Sequence, residues 1–464
     1  HSRRLTASLA NLAPRFLPFA DAATPDLPLA RLLRLSLFQV SVGMATVLLV
    51  GTLNRVMIVE LGVPSSIVAV MIALPLLVAP FRALIGFRSD THRSALGWRR
   101  VPFMWYGSLL QFGGLAIMPF VLLVLAGNNA IATPPIVGQL GAGLAFLLVG
   151  AGLHTTQTAG LALATDLAPG DTQPRVVGLM YVMLLVGMIV SALAFGALLS
   201  PYSHERLVRV TQGAAVITLA LNVVSMWKQE ARDRTRLADS STDPTFAESW
   251  RAFSNGDHAV RRLVATGLGT MAFSMQDVLL EPYGGQVLAL SVSSTTLLTA
   301  SLSFGGLAGF LLASRVLSRG GDAFRMASMG ALIGIPGFGL VIAAAPLHLT
   351  ALFFLGTLCI GFGGGLLGHG TLTATMNSAP EQQRGLALGA WGAVQASAVG
   401  LAVALGGVVR DFIAGANVPS LISGKPVATG YLVVYGIEIA LLCITTVAMM
   451  PLLSRVRGRR AVAA

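Results

Sequence analysis

PFRALIGFRSDTHRSALGWRR, from Pro80 to Arg100, closes a long apolar run in an arginine-rich loop. Its skeleton is Gly86-x-x-x-Asp90, then Arg93, then Gly97-x-Arg99-Arg100. Each part has a physical use at a membrane surface. Glycine lets two helices approach closely, an aspartate near a helix end feels the helix dipole, and arginines from a facing segment can reach it. Such a charge latch holds one arrangement of helices closed and can release it. Gly86, Asp90, Arg93, Gly97, Arg99 and Arg100 are therefore expected to form a conformational latch between two membrane-spanning helices.

The rest of the chain supports a membrane setting. Of 464 residues, 55% are hydrophobic and 11% charged, and mean hydropathy is +0.77, which excludes an ordinary soluble protein. The net charge of +12 would suit nucleic-acid binding. However, the basic residues follow membrane topology instead of forming one patch, so no nucleic-acid partner is expected. Apolar segments of about 20 residues fall near 35–58, 65–87, 102–126, 136–163, 176–199, 209–227, 261–281, 294–315, 323–345, 348–376, 385–408 and 430–453. The polar stretch 228–260 divides these twelve into six plus six. With both termini and this stretch on one side, that side collects 26 of the 31 Lys and Arg. Arg55, Arg206, Arg209, Arg410 and Lys425 fall on the other, so both termini are expected to be cytoplasmic. The expected organisation is a cytoplasmic or interfacial segment 1–34, a six-helix bundle 35–227, a cytoplasmic loop 228–260, a second six-helix bundle 261–453 and a basic cytoplasmic tail 454–464. No cleavable signal peptide is expected at the N-terminus. Leu5, Leu9, Leu12 and Phe16 recur at helical spacing and suit either the membrane interface or a solvated tail.

The halves echo one another. Ala164–Arg175, ATDLAPGDTQPR, is paralleled by Thr375–Arg384, TMNSAPEQQR, and Ser314–Asp322 carries a degenerate copy of the opening motif. Major-facilitator transporters carry a G-x-x-x-D-[RK]-x-G-[RK]-[RK] loop between their second and third helices. Pro80–Arg100 resembles it, with an insertion between the aspartate and the glycine. The resemblance implies an all-α membrane protein of twelve transmembrane helices in a 6+6 arrangement, with a central cavity between the halves.

Ionisable groups inside the membrane are costly to bury and are candidates for function. Asp277 and Glu281 lie four residues apart on one helical face, with Pro282, Gly284 and Gly285 breaking the helix after them. Counted from Arg261, Asp277 lies about 24 Å and Glu281 about 30 Å along the span. Asp277 is then a candidate proton site and Glu281 an interfacial carboxylate. His154, in GAGLHTTQTAG, and His369, in FGGGLLGHGTLTAT, sit among glycines that leave room for a bulky planar partner. A neutral imidazole there suits an axial metal ligand, or a hydrogen bond across helices. Gln39, Gln111, Gln157 and Gln276 are further polar groups that could line a cavity. Arg82 is expected to snorkel, and Asn54, Arg55 and Glu60 to cluster at the outer end of the first span. Glu438 has no evident partner. Cys359 and Cys443 read as small core or lipid-facing residues. With no Walker A loop, no His-Glu-x-x-His and no catalytic triad, an enzyme is not expected.

Longer runs narrow the resemblance. Asn54–Pro64, Pro80–Phe103, Gln276–Val292 and Pro14–Met44 resemble the bacteriochlorophyll delivery (PucC/LhaA-like) family of purple phototrophic bacteria. The likeness covers nearly the whole chain. It implies a factor in the bacterial inner, intracytoplasmic membrane that assembles light-harvesting complexes. Bacteriochlorophyll is the implied ligand, with a carotenoid and lipids as further candidates. Antenna alpha and beta polypeptides, bacteriochlorophyll synthase and the membrane insertion machinery are the implied partners. It also makes His154 or His369, with Gln157, the candidate site for the pigment magnesium. The alternatives are a proton-coupled transporter of a small solute or pigment, and a ligand-free membrane partner of the antenna.

Overall fold

The computed structural model describes residues 23–92, 97–125, 127, 134–169, 172–231, 259–317, 319–378, 384–416, 419 and 427–462. Residues 5, 9, 12 and 16 lie outside these, as does most of the central segment. Among the described residues every regular element is helical, because hydrocarbon offers no partner for an unpaired peptide group.

α1 is Leu29–Glu60 and starts before the expected residue 35. It winds into π-helix at Val47–Leu53 and Val56–Glu60. The second span is α2, Ser65–Ala73, and α3, Phe81–Thr91, joined by a 3-10 segment Leu74–Val78 that contains Pro75. The first half continues with α4 (Val101–Leu125), α5 (Pro135–Leu167), α6 (Gln173–Leu198) and α7 (His204–Met226). The seventh span is α8, Ala259–Ser274, then a 3-10 turn Met275–Val278 and α9, Leu280–Gln286. The second half ends with α10 (Val292–Leu317), α11 (Ala323–Ala344), α12 (Thr350–Ser378), α13 (Arg384–Gly415) and α14 (Ala428–Val462). Among the described residues eleven helical segments are long and apolar enough to cross a membrane. The broken second span supplies the remaining expected crossing.

In the first half α4 packs on α5 and α7, and α1 on α6 and α7. In the second, α12 lies between α10 and α11, and α8 packs on α13 and α14. The halves meet along α6 with α10 and α2 with α13. Lipid and protein interior are equally apolar, so close backbone approach takes the place of a hydrophobic drive. On α12, a side chain at Gly361 or Gly365 would run into the backbone of Leu302 or Gly306 on α10, and one at Gly363 into the Gly330 carbonyl on α11. Gly363, Gly365 and Gly370 therefore seat neighbouring helices, whereas Gly364 and Gly368 meet nothing closer than 3.9 Å. Near His154, Pro75 fills the space at Gly150, the Gly107 carbonyl that at Gly152, and Phe38 that at Gly160. Cys359 is half-buried and Cys443 exposed, both free.

Gly365→Val is expected to overpack the α10–α12 contact at a cost of about 1–3 kcal/mol, seen as earlier thermal unfolding in detergent. Gly339→Ala, whose new carbon meets nothing within 4 Å, should leave the midpoint unchanged or raise it. Equal behaviour of the two variants would contradict the packing role.

Candidate functional site

The seventh span breaks where its own chemistry demands. Pro282 has no N–H to give to the carbonyl four residues back, that of Val278. Asn54 on α1 supplies the missing donor, its Nδ2 reaching the Val278 carbonyl at 2.9 Å. On the other side of the turn, the amide of Gln276 donates to Glu438 Oε1 at 2.7 Å. Glu438 is fully buried, and this bond from α14 accounts for a carboxyl group the sequence left without a partner. The break turns consecutive acids toward the centre. Asp277 accepts from Gln276 Nε2 at 2.6 Å, and Glu281 accepts from the Thr299 hydroxyl of α10. Glu281 is 3% exposed, so its carboxyl group is enclosed by protein. It lies against the π-helical part of α1, where a carbon on Gly51 would come within 2.7 Å of Glu281 Oε1.

Asp277 and Glu281 line a cavity of about 330 Å³ between the halves. Its wall also includes Arg82 from α3, His154 and Gln157 from α5, Tyr181 from α6, and Trp391 and Gln395 from α13. His154 is 5% exposed, and neither ring nitrogen has a hydrogen-bond partner. Arg82 does not snorkel; its Nε donates to Thr158 Oγ1 at 3.0 Å, inside the bundle. His369 is held differently, its ring packed on Phe310 with centroids 4.1 Å apart, and it is absent from the cavity wall. The structure thus brings His154, Gln157, Asp277 and Glu281 to one cavity and leaves His369 beside it. Of the other glutamines, Gln276 lines the cavity, while Gln39 and Gln111 are buried within the first half. Gln39 accepts from Gln157 at 3.2 Å, and Gln111 accepts from Asn222 at 3.2 Å. Among the described residues no three His, Cys, Asp or Glu side chains are grouped to hold a metal ion. Sequence reasoning missed Tyr181, Thr299, Trp391 and Gln395, because apolar spans present such residues with no pattern that separates wall from core.

The opening motif lies where α3, α4 and α5 meet. Arg99 and Arg100 both pair with Asp166 at the end of α5, Arg100 through Nε at 3.0 Å. Arg100 also reaches the Gly86 carbonyl at 3.4 Å and the Ser89 hydroxyl. Glu230, just after α7, accepts from the amides of Arg99, Arg100 and Val101 at 2.8–3.0 Å, a carboxylate at the N-terminus of α4. These described partners belong to the same half, which Arg99 and Arg100 brace. Gly97 takes the left-handed φ of 79° that the turn requires. The Asp90 side chain and Arg93 lie outside the described residues. At the opposite end, contacts do cross between halves. Asp411 Oδ2 on α13 accepts from the Ser66 amide of α2 at 2.5 Å, and buried Arg55 pairs with Glu60 and reaches the Leu290 carbonyl at 3.4 Å.

Two packed halves, a broken seventh span and a cavity between the halves define a major-facilitator fold. A D-xylose–proton symporter matches with a TM-score of 0.69 at 14% identity, over 90% of this chain and 96% of that one. The family model described as PUCC protein matches residues 52–457. Protein PucC of Rhodovulum sulfidophilum is 61% identical over 416 residues, 89% of this chain and 92% of that protein. Protein PucC of Cereibacter sphaeroides is 55% identical, covering 98% and 99%. A more distant relative, the bacteriochlorophyll synthase 44.5 kDa chain of Rhodobacter capsulatus, is 28% identical over 82% of this chain and 88% of that one. The chain is a multi-pass membrane protein and belongs to the PUCC protein family.

Asn54→Ala should leave the Val278 carbonyl unpaired and cost about 1–3 kcal/mol. Adding Pro282→Ala restores an amide donor at the right position and should remove most of that loss. A thermal-unfolding cycle of the two single variants and the double variant checks this; strictly additive effects would contradict the pairing.

Proposed function

We propose that this protein is an assembly factor for bacterial light-harvesting complexes that holds bacteriochlorophyll in the cavity between its halves and releases it to antenna polypeptides. The single observation that carries the proposal is His154, buried in the cavity wall with both ring nitrogens unpartnered. A buried imidazole without a hydrogen bond is costly, and a ligand atom that accepts its lone pair removes the cost. When the pigment is bound, its magnesium supplies a Lewis acid of that kind. The residues present fit this group: one free imidazole, Gln157 on the same helix, and a wall rich in Val, Leu and Ile. The volume is at the lower end for small-molecule sites, so the long esterified tail lies outside it. Family membership, and the name of the distant bacteriochlorophyll synthase relative, support a pigment as the ligand. With the Lys and Arg distribution setting orientation, both termini face the cytoplasm, where the antenna polypeptides, the synthase and the insertion machinery would meet the protein.

A second function is favoured by one observation, the pair of carboxyl groups Asp277 and Glu281 in the same cavity wall. It is proton-coupled movement of a small solute, with Asp277 as the proton site. Flux in reconstituted vesicles that is indifferent to Asp277→Asn would remove it.

Protein purified from phototrophic membranes should carry the absorption bands of a bacteriochlorin. His154→Ala is expected to reduce the retained pigment about tenfold, equivalent to ~1.4 kcal/mol, and His369→Ala to leave it unchanged. Full pigment retention in His154→Ala would sink the proposed ligation.

A further inference from the structure

Arg82 is a charged group that the fold does not neutralise. It lies two residues into α3 and lines the cavity. Its Nε donates to Thr158 Oγ1 at 3.0 Å, and that hydroxyl in turn donates to the His154 carbonyl at 2.7 Å. The groups nearest to it in charge are Tyr181 and His154. Among the described residues no carboxylate pairs with it. The acids of the same cavity are engaged elsewhere, Asp277 by Gln276 and Glu281 by Thr299.

A guanidinium stays charged in any protein environment and presents a planar fork of donors. Left without a counter-ion inside a membrane bundle it is costly, and arginines so placed mark ligand paths. The wall around it is apolar, and His154 beside it lacks a partner on both nitrogens. We propose that Arg82 forms an anion subsite that takes the carboxylate of a ligand whose remaining body is apolar. Resting on the proposed pigment reading, this makes the preferred ligand the free-acid form of the magnesium bacteriochlorin, before its long-chain ester is formed. The guanidinium fork meets a carboxylate in two parallel hydrogen bonds, which a neutral ester oxygen cannot match.

The test titrates the purified protein in lipid nanodiscs with the magnesium bacteriochlorin as free acid and as long-chain ester, following the pigment absorption band. A long-chain fatty acid is titrated in parallel. The intact protein should bind the free acid at least tenfold more tightly than the ester. Arg82→Gln should abolish that preference while leaving ester affinity unchanged, and Arg82→Lys should keep part of it. The ligand-free Arg82→Gln protein should unfold at the same temperature or higher, since an uncompensated charge has gone. Equal affinity for acid and ester, or a preference that survives Arg82→Gln, overturns the subsite and leaves the pigment reading standing. Fatty-acid binding that depends on Arg82, with neither pigment form bound, keeps the subsite and removes the pigment. Binding of none of the three overturns both, and a lowered unfolding temperature in Arg82→Gln shows a structural role instead.

Discussion

One peptide carbonyl without a local donor organises the centre of this molecule. In hydrocarbon an unpaired carbonyl cannot turn to water, so the oxygen that Pro282 leaves free at Val278 must find a donor from another helix. Asn54 is that donor. The solution has two consequences. It fixes a 3-10 turn at mid-span, which points Asp277 and Glu281 to the cavity instead of along a regular helix face. It also joins the halves, because Asn54 stands on α1 and Val278 on the seventh span. The amide side of the same break is closed within the second half by Glu438. The turn is therefore held once by each half, and any motion of one half against the other acts on the geometry of the acids.

The two ends of the molecule are built differently. At the end carrying the opening motif, Arg99, Arg100, Asp166 and Glu230 bind one another within the first half, joining α3, α4, α5 and the exit of α7. Arg31 of α1 adds to this end through Gln229, its guanidinium reaching the Gln229 carbonyl at 2.7 Å. At the other end, Ser66 with Asp411 and Arg55 with Leu290 span the halves. Charges that brace one half make it move as a unit. Among the described residues, hydrogen bonds span the halves at that second end and at the central turn.

Much of this was legible in the sequence, and the reasons for success and failure are physical. Apolar length and the Lys and Arg distribution announce membrane crossings because a bilayer has a fixed thickness. Hydropathy cannot show that Pro75 and Pro282 would split two spans into pieces, since it averages over the break. The motif glycines and arginines marked the fold, but their partners Asp166 and Glu230 are distant in sequence and belong to no pattern. His154 and His369 looked equivalent as glycine-flanked imidazoles. Only packing separates them: the His369 ring lies on Phe310, while His154 lines the cavity.

The cavity also constrains what kind of protein this can be. A solute carrier for a polar substrate needs many hydrogen-bonding groups to replace lost water. Here the wall combines the polar groups Arg82, His154, Asp277 and Glu281 with apolar residues such as Val42, Val47, Val50, Leu184 and Met188. Such a wall suits a large apolar body with a polar group at its edge. A tetrapyrrole has that form, with an apolar ring, a metal that wants one axial donor, and a carboxyl at its rim. A sugar transporter shares the fold, so the fold alone does not name the ligand: the helices set where a cavity opens, and under the proposed pigment reading the side chains of α3, α5 and α9 select what enters it.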